Sequence, residues 1–344
     1  MLAPVSEVAY GEERLLGLNI DSARLWPSFA AELEELSGEP SGLWECGTLV
    51  VASDPGDRAE LEALMAFQNE LGLGSQWLSS RESRNAEPLL APGIRGAILV
   101  DQDHQVDNRV LIAALLAVVH RSGVVLYSCA ASEIEISEER ALGVLLAPGP
   151  GCPRKALAVG TIVVSAGAWS SQLKGIPERF LPRIRPVKGQ LLRLLGNPEQ
   201  APVLGRTVRA QVNGRHIYIV PRLTGEVVVG ATSEEMGFDT SIRAGAVRTL
   251  LDDASRVVPA VDDLKLVESL AGLRPGTPDN RPLIGPSGLD GLVLATGHGR
   301  NGILLAPLTA QLVAGWICDS SEPPKDTSPS RFFATRHEAR LEPR

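Results

Sequence analysis

Residues 291–316 read GLVLATGHGRNGILLAPLTAQLVAGW. Leu292 to Thr296 are apolar or β-branched and read as a buried strand. Gly297-His298-Gly299 then predicts a tight turn, because two glycines can take backbone angles that a side chain forbids. Asn301 and Gly302 open a helix whose residues Ile303, Leu304, Pro307, Leu308, Leu312 and Trp316 mostly keep helical spacing. A strand feeding a helix N-terminus through a glycine turn presents N–H groups and a helix dipole to an electron-rich group. The same device recurs at residues 161–166, a strand turning at Gly167 into AWSSQL.

Gly297, Gly299 and Gly302 also match the spacing G-x-G-x-x-G. A dinucleotide fingerprint needs a second parallel strand after the helix and an acidic residue about 20 positions on. Here the helix runs into CDSSEPPKDTSPSRFF, polar and broken by proline, so the match does not carry that meaning. Two readings stay open: glycines that only shape a turn, and a corner that holds a ligand.

The 344 residues suffice for two domains with cores of their own. Apolar residues at 44% and charged residues at 22% describe an ordinary globular chain. A formal charge of −8 with no basic stripe argues against a nucleic-acid partner. Cys46, Cys129, Cys152 and Cys318 show no paired spacing, which predicts neither a zinc site nor a disulfide framework, and a reducing cytoplasm. The histidines lack ligand spacing, so no metal is expected. The longest apolar stretches contain Pro307 and Gln311 or end at His120, and neither spans a bilayer. The opening MLAPVSEVAYGEERLLG is no signal peptide and begins as a loop.

Helices are expected over residues 21–36, 57–71, 108–121 and 242–257. Asp54 or Asp57 is a cap for the second, and Ser79 with Glu82 forms a capping box for a short helix ending at Pro88. Strands are expected over 46–52, 97–100 and 124–127, with a hairpin-like region at 133–146. From Arg183 the pattern changes to alternating strands at 184–194, 209–221, 226–231 and 264–270. This interleaving predicts two domains between which the chain crosses more than once.

In HIYIVPR, residues 216–222, the period of two puts His216, Tyr218 and Val220 on one face and Ile217 and Ile219 on the other. The isoleucine face is the natural core face, leaving His216 and Tyr218 toward a cavity or solvent. In SLAGLRPGTPDNRPLIG, residues 269–285, Pro275 holds Arg274 extended. A guanidinium on rigid backbone grips a carboxylate through two parallel hydrogen bonds, or else makes a surface or interdomain ion pair. Arg300 has the same two readings.

Taken together, RPVKGQ (185–190), HIYIVPRLTGEVVVGAT (216–232), AGLRPGTPDNRPLIG (271–285) and GHGRNGILLAP (297–307) resemble the flavin-dependent glycine oxidases of thiamine biosynthesis. These belong to the D-amino-acid oxidase and sarcosine oxidase group. The resemblance runs in family order from Met1 to about Phe333. It implies an α/β plus α+β fold, with an incomplete Rossmann-like FAD domain and a second, antiparallel-sheet substrate domain. The implied FAD domain is discontinuous, over 1–38, 101–186 and 270–320. The substrate domain would take 39–100 and 187–269, and 321–344 would be a polar tail.

The resemblance also implies the site. Arg274 would bind the substrate carboxylate, Tyr218 would support it, and Arg300 and His216 would lie nearby. The backbone of His298, Gly299, Arg300, Asn301, Gly302, Ile303 and Leu304 would line the flavin ring. Ser132 would contact the adenine side through its main chain, and Met1 would also lie at the cofactor. A small amino acid would lose its Cα–H as hydride to FAD, giving an imine that water converts to glyoxylate and ammonia, while O2 leaves as hydrogen peroxide. The helix near Gly302 would stabilise the negative charge of reduced flavin. A homo-oligomer in the cytoplasm is expected from the same likeness.

The chain departs from the group twice. The family opens with a strand, a G-x-G-x-x-G turn, a helix and a strand ending in an acidic residue, a unit of roughly 30 residues. The sequence begins at MLAPVSE, which reads like the loop after that unit. The expectation is an internal methionine as the recorded start, or a fragment, with apolar sheet edges exposed. The alternative is a non-catalytic remnant that holds no FAD. Gly299 stands where relatives usually carry an aromatic residue, which would alter the pocket wall.

Overall fold

The computed structural model describes residues 1–150 and 155–332. They divide into two compact units, one of residues 1–118, 188–234 and 238–272, the other of 119–187, 235–237 and 273 onward.

The first unit is organised on an eight-stranded sheet. Its strands run in the order Lys265–Gly276, Arg185–Leu195, Glu226–Gly230, Arg215–Pro221, Thr207–Val212, Thr48–Ala52, Gly96–Val100 and Gln76–Leu78. Thr207–Val212 runs parallel to Thr48–Ala52, and its other neighbour, Arg215–Pro221, is antiparallel. Alternation decides the faces. Leu49, Val51, Leu192, Leu194, Val208, Ile217, Ile219, Val227 and Val229 point into one core, closed by Leu250, Ala254 and Val257 of the helix Ala244–Val257. On the other face Val50, Ala52, Ile98 and Val100 meet Leu16 and Leu61. These two come from the helices Glu13–Ser37 and Pro55–Glu70, the second capped by Asp54.

Residues 1–38 and 101–118 group with this sheet. The reason is local. Leu2 and His104 exchange two backbone hydrogen bonds of 2.8 Å. The buried Asp103 carboxylate accepts the amides of Val5 at 3.0 Å and Ser6 at 2.6 Å. Val5 and Leu16 then share the core with Val50.

The second unit holds two three-stranded sheets. Ala131–Ser137, Arg140–Leu146 and Lys155–Ala158 form an antiparallel one. In the other, Leu292–Thr296 runs parallel to Ile162–Val164 and antiparallel to Leu283–Pro286. Ile162, Val164, Ile184, Leu283, Leu292 and Leu294 make its core. The helix Ala306–Asp319 packs on the Leu283–Pro286 and Leu292–Thr296 strands.

Three expectations are corrected. Residues 124–127 form no strand: a strand needs a neighbour for its amides, and no described strand pairs with them. The turn after Thr296 continues as a 3-10 segment, Gly299–Asn301, and the regular helix begins only at Ala306, with Pro307 in its first turn. Cys129 is disulfide-bonded, whereas Cys46 and Cys318 are free thiols. Spacing alone does not reveal such a pairing. Among the described residues no helix is long and apolar enough to cross a membrane, and no cluster of three or more metal-ligating side chains occurs.

Candidate active site

In the second unit, the half-buried Arg274 lies near the end of the Lys265–Gly276 strand, with Pro275 after it. Thr277 fixes the chain just beyond. Its hydroxyl donates to the Arg281 carbonyl at 2.8 Å, and its own carbonyl accepts from Arg185 Nη1 at 3.1 Å. The following loop is clasped by charge. Arg281 binds Asp279 at 2.8 Å and Asp326 at 2.6 Å, and Arg331 places two nitrogens on Asp279 at 2.9 and 3.1 Å. Burial works against ionisation of Asp279, but Arg331 and then Arg281 outweigh it and hold the carboxyl below the usual range.

The same Thr277 touches the glycine corner. A Cβ on Gly297, whose φ is +76°, would lie 2.4 Å from Thr277 Cγ2. The second corner packs beside the first: the hydroxyls of Ser170 and Thr296 are 2.8 Å apart, and that of Thr296 also donates to the Gly167 carbonyl at 3.2 Å.

Past Gly297 the chain shows backbone more than side chain. Asn301 N–H donates to the His298 carbonyl at 3.0 Å and Leu305 N–H to the Asn301 carbonyl at 2.9 Å. Gly302 and Ile303 are exposed, and among the described hydrogen bonds their amides have no acceptor. A Cβ at Gly299, φ +55°, would meet no atom within 4 Å. His298 Nε2 lies 2.9 Å from Thr309 Oγ1 on the helix, and burial pushes its pKa down to about 4. The imidazole is therefore neutral at pH 7. Arg300 is exposed. Open amides at bare backbone suit an electron-rich group.

In the first unit, Tyr218 and His216 lie on the sheet face opposite Ile217 and Ile219, as the alternation predicts. Tyr218 faces Gly230 on one neighbouring strand and Arg209 on the other. The next segment is tied down by RPVKGQ. Lys188, wholly buried, exchanges backbone hydrogen bonds with Glu234 and donates from Nζ to Asp239 at 2.8 Å. That bond holds the Asp239 carboxyl far below the usual range. Gln190 N–H donates to Thr232 Oγ1 at 2.9 Å.

Of the expected site residues, Arg274, Arg300, the segment 298–304 and Ser132 belong to the second unit, and Tyr218, His216 and Met1 to the first. Ser132 donates its hydroxyl to the Leu145 carbonyl at 2.9 Å, and its carbonyl accepts from Lys174 at 3.1 Å. Met1 is half-buried beside Leu2. Sequence reasoning passed over Thr277, Gly230 and Thr309. The glycine at 230 sits inside a quoted motif, but only cross-strand register shows what it faces.

A family model described as FAD dependent oxidoreductase matches residues 2–316. The bifunctional protein ThiO/ThiG of Trichormus variabilis is 33% identical over 325 residues, 94% of this chain and 47% of that one. The glycine oxidase of Geobacillus kaustophilus is 34% identical, with 94% of this chain and 82% of that one covered. The chain thus spans about half the length of the bifunctional relatives it matches. Among solved structures, glycine oxidase from Geobacillus kaustophilus superposes with a TM-score of 0.83 at 32% identity, covering 96% of this chain and 86% of that one. Iminodiacetate oxidase from Chelativorans sp. BNC1 superposes with a TM-score of 0.79 at 27% identity, covering 96% of this chain and 86% of that one.

Proposed function

The chain belongs to the FAD-dependent oxidoreductase family, and on that premise we propose that it oxidises glycine or a similarly small amine in thiamine biosynthesis. The products would be glyoxylate, ammonia and hydrogen peroxide. The observation that carries this reading is the meeting, at Thr277 and Gly297, of the strand end bearing Arg274 with a corner of open backbone.

Arg274 takes the substrate carboxylate by a two-point grip and orients the Cα–H. The Tyr218 hydroxyl donates to the substrate carboxylate, and Arg300 and His216 are further substrate-binding residues. The backbone of 298–304 holds the flavin ring, where the amides of Gly302 and Ile303 offset negative charge. Ser132 meets the adenine side through its main chain, and Met1 is a further cofactor-binding residue. Bound FAD supplies the two-electron acceptor that O2 regenerates. The neutral His298 adds no charge to the corner. Its bond to Thr309 ties the turn to the helix.

Titration of the purified protein with FAD, read as flavin fluorescence, followed by peroxide release with glycine, sarcosine and D-proline, tests this reading. Saturable binding and peroxide with one or more amines are expected. A chain that leaves added FAD free is the non-catalytic remnant instead.

A further inference from the structure

Tyr218 stands opposite Gly230 in the antiparallel register of Arg215–Pro221 and Glu226–Gly230, so the two positions share one sheet face. Leu191 flanks Gly230 on the other side. The phenol leans over the glycine. A Cβ built at 230 would stand 2.5 Å from Cζ and from Oη of Tyr218, and 2.7 Å from Cε2. No side chain, not even a methyl group, fits there with the ring in place. The φ of Gly230 lies outside the left-handed region, so the space, and not that angle, excludes a Cβ. A glycine inside a strand weakens it and marks the close approach of another group. The group here is the Tyr218 ring.

We propose that Gly230 is a positioning residue for substrate specificity. Its bare backbone lets the phenol lie along the sheet and so sets where the hydroxyl meets a small carboxylate. The inference rests on the reading above, in which Tyr218 touches the substrate carboxylate. A methyl group at 230 lifts the ring off the sheet and moves the hydroxyl away from its place.

A double-mutant cycle on the FAD-loaded protein tests this, with Gly230→Ala, Tyr218→Ala and the pair. Glycolate, a carboxylate of glycine's size with no amine to oxidise, is the probe, read by its perturbation of flavin absorbance. Thermal unfolding and FAD fluorescence are measured beside it. Gly230→Ala is expected to weaken glycolate about tenfold and to raise KM for glycine more than it lowers kcat. In the Tyr218→Ala background the same change should alter glycolate affinity by less than about twofold, since no ring remains to displace. FAD affinity should not move.

Equal losses in both backgrounds would show a backbone requirement and overturn the proposal, as would no loss in the first. Folding of the double variant alone, without that of Gly230→Ala, upholds the steric relation. Failure of both to fold overturns it. Tyr218→Phe keeps the ring over Gly230 and removes the hydroxyl, so it should weaken glycolate with little change in unfolding. Unchanged affinity there sinks the role of the hydroxyl. A wild-type protein that takes FAD but neither responds to glycolate nor yields peroxide refutes the amine-oxidase reading itself, whatever the variants do.

Discussion

The methyl group of Thr277 rests on Gly297, so close that a Cβ there would come within 2.4 Å. Gly297→Ala therefore meets two penalties, a left-handed φ of +76° and a clash with a buried side chain. The first alone costs about 1–3 kcal/mol. Urea unfolding should show a loss of at least about 2 kcal/mol. Thr277→Ser, which removes Cγ2 but keeps the hydroxyl bonded to Arg281, should recover the steric part in the double variant. Simple additivity of the two changes would argue against the contact.

His298 gives the second unit a pH dependence whose sign is fixed. Burial lowers its folded pKa to about 4 from the ordinary 6.5, so between those values the unfolded chain binds more protons. The stabilising contribution is complete above pH 6.5 and is lost as pH falls toward 4. His298→Gln, which can still bond Thr309, should flatten that part of the profile of thermal midpoint against pH. An unchanged slope would place the titration elsewhere.

Asp279 joins two arginines whose side chains are largely covered. Asp279→Asn leaves both guanidinium groups short of a charged acceptor, and charge-assisted bonds of this kind contribute about 1.5–3 kcal/mol. Unfolding of the variant should come about 2 kcal/mol earlier. Because the folded carboxyl lies below its ordinary range, the wild-type advantage should hold above pH 4 and fade under it. Peptide-level hydrogen exchange should locate the loosening at residues 277–283 and 324–332.

Arg274→Lys keeps the charge and loses the planar fork. KM for glycine should rise roughly 10- to 100-fold, equivalent to one charge-assisted hydrogen bond, while FAD affinity stays put. Weaker FAD binding with an unaltered KM would move Arg274 from the substrate to the cofactor.

Much of this architecture is legible where a local rule decides. The alternation in HIYIVPR correctly sends Ile217 and Ile219 to the core and Tyr218 to the opposite face, since successive strand residues point to opposite sides. The caps at Asp54 and Ser79 are equally readable, because both partners lie within three residues. Reading fails where a partner is distant. Residues 124–127 are apolar enough for a strand, yet strandhood depends on a neighbour that composition cannot name. Thr277 looks like any loop threonine until Gly297 is brought against it. The early helix start at Asn301 fails for a different reason: helical spacing continues through Ile303 and Leu304, but the backbone first takes a tighter 3-10 turn.

Residue 48 sits beside residue 207 in the large sheet, and one of its two edge strands arrives only with residues 265–276. A nascent chain emerging from the ribosome at roughly 5–20 residues per second therefore carries the apolar strand Thr48–Ala52 with its parallel mate unmade for on the order of ten seconds or more. Chaperone engagement during synthesis, and a refolding rate slowed by long-range strand pairing, follow from that delay.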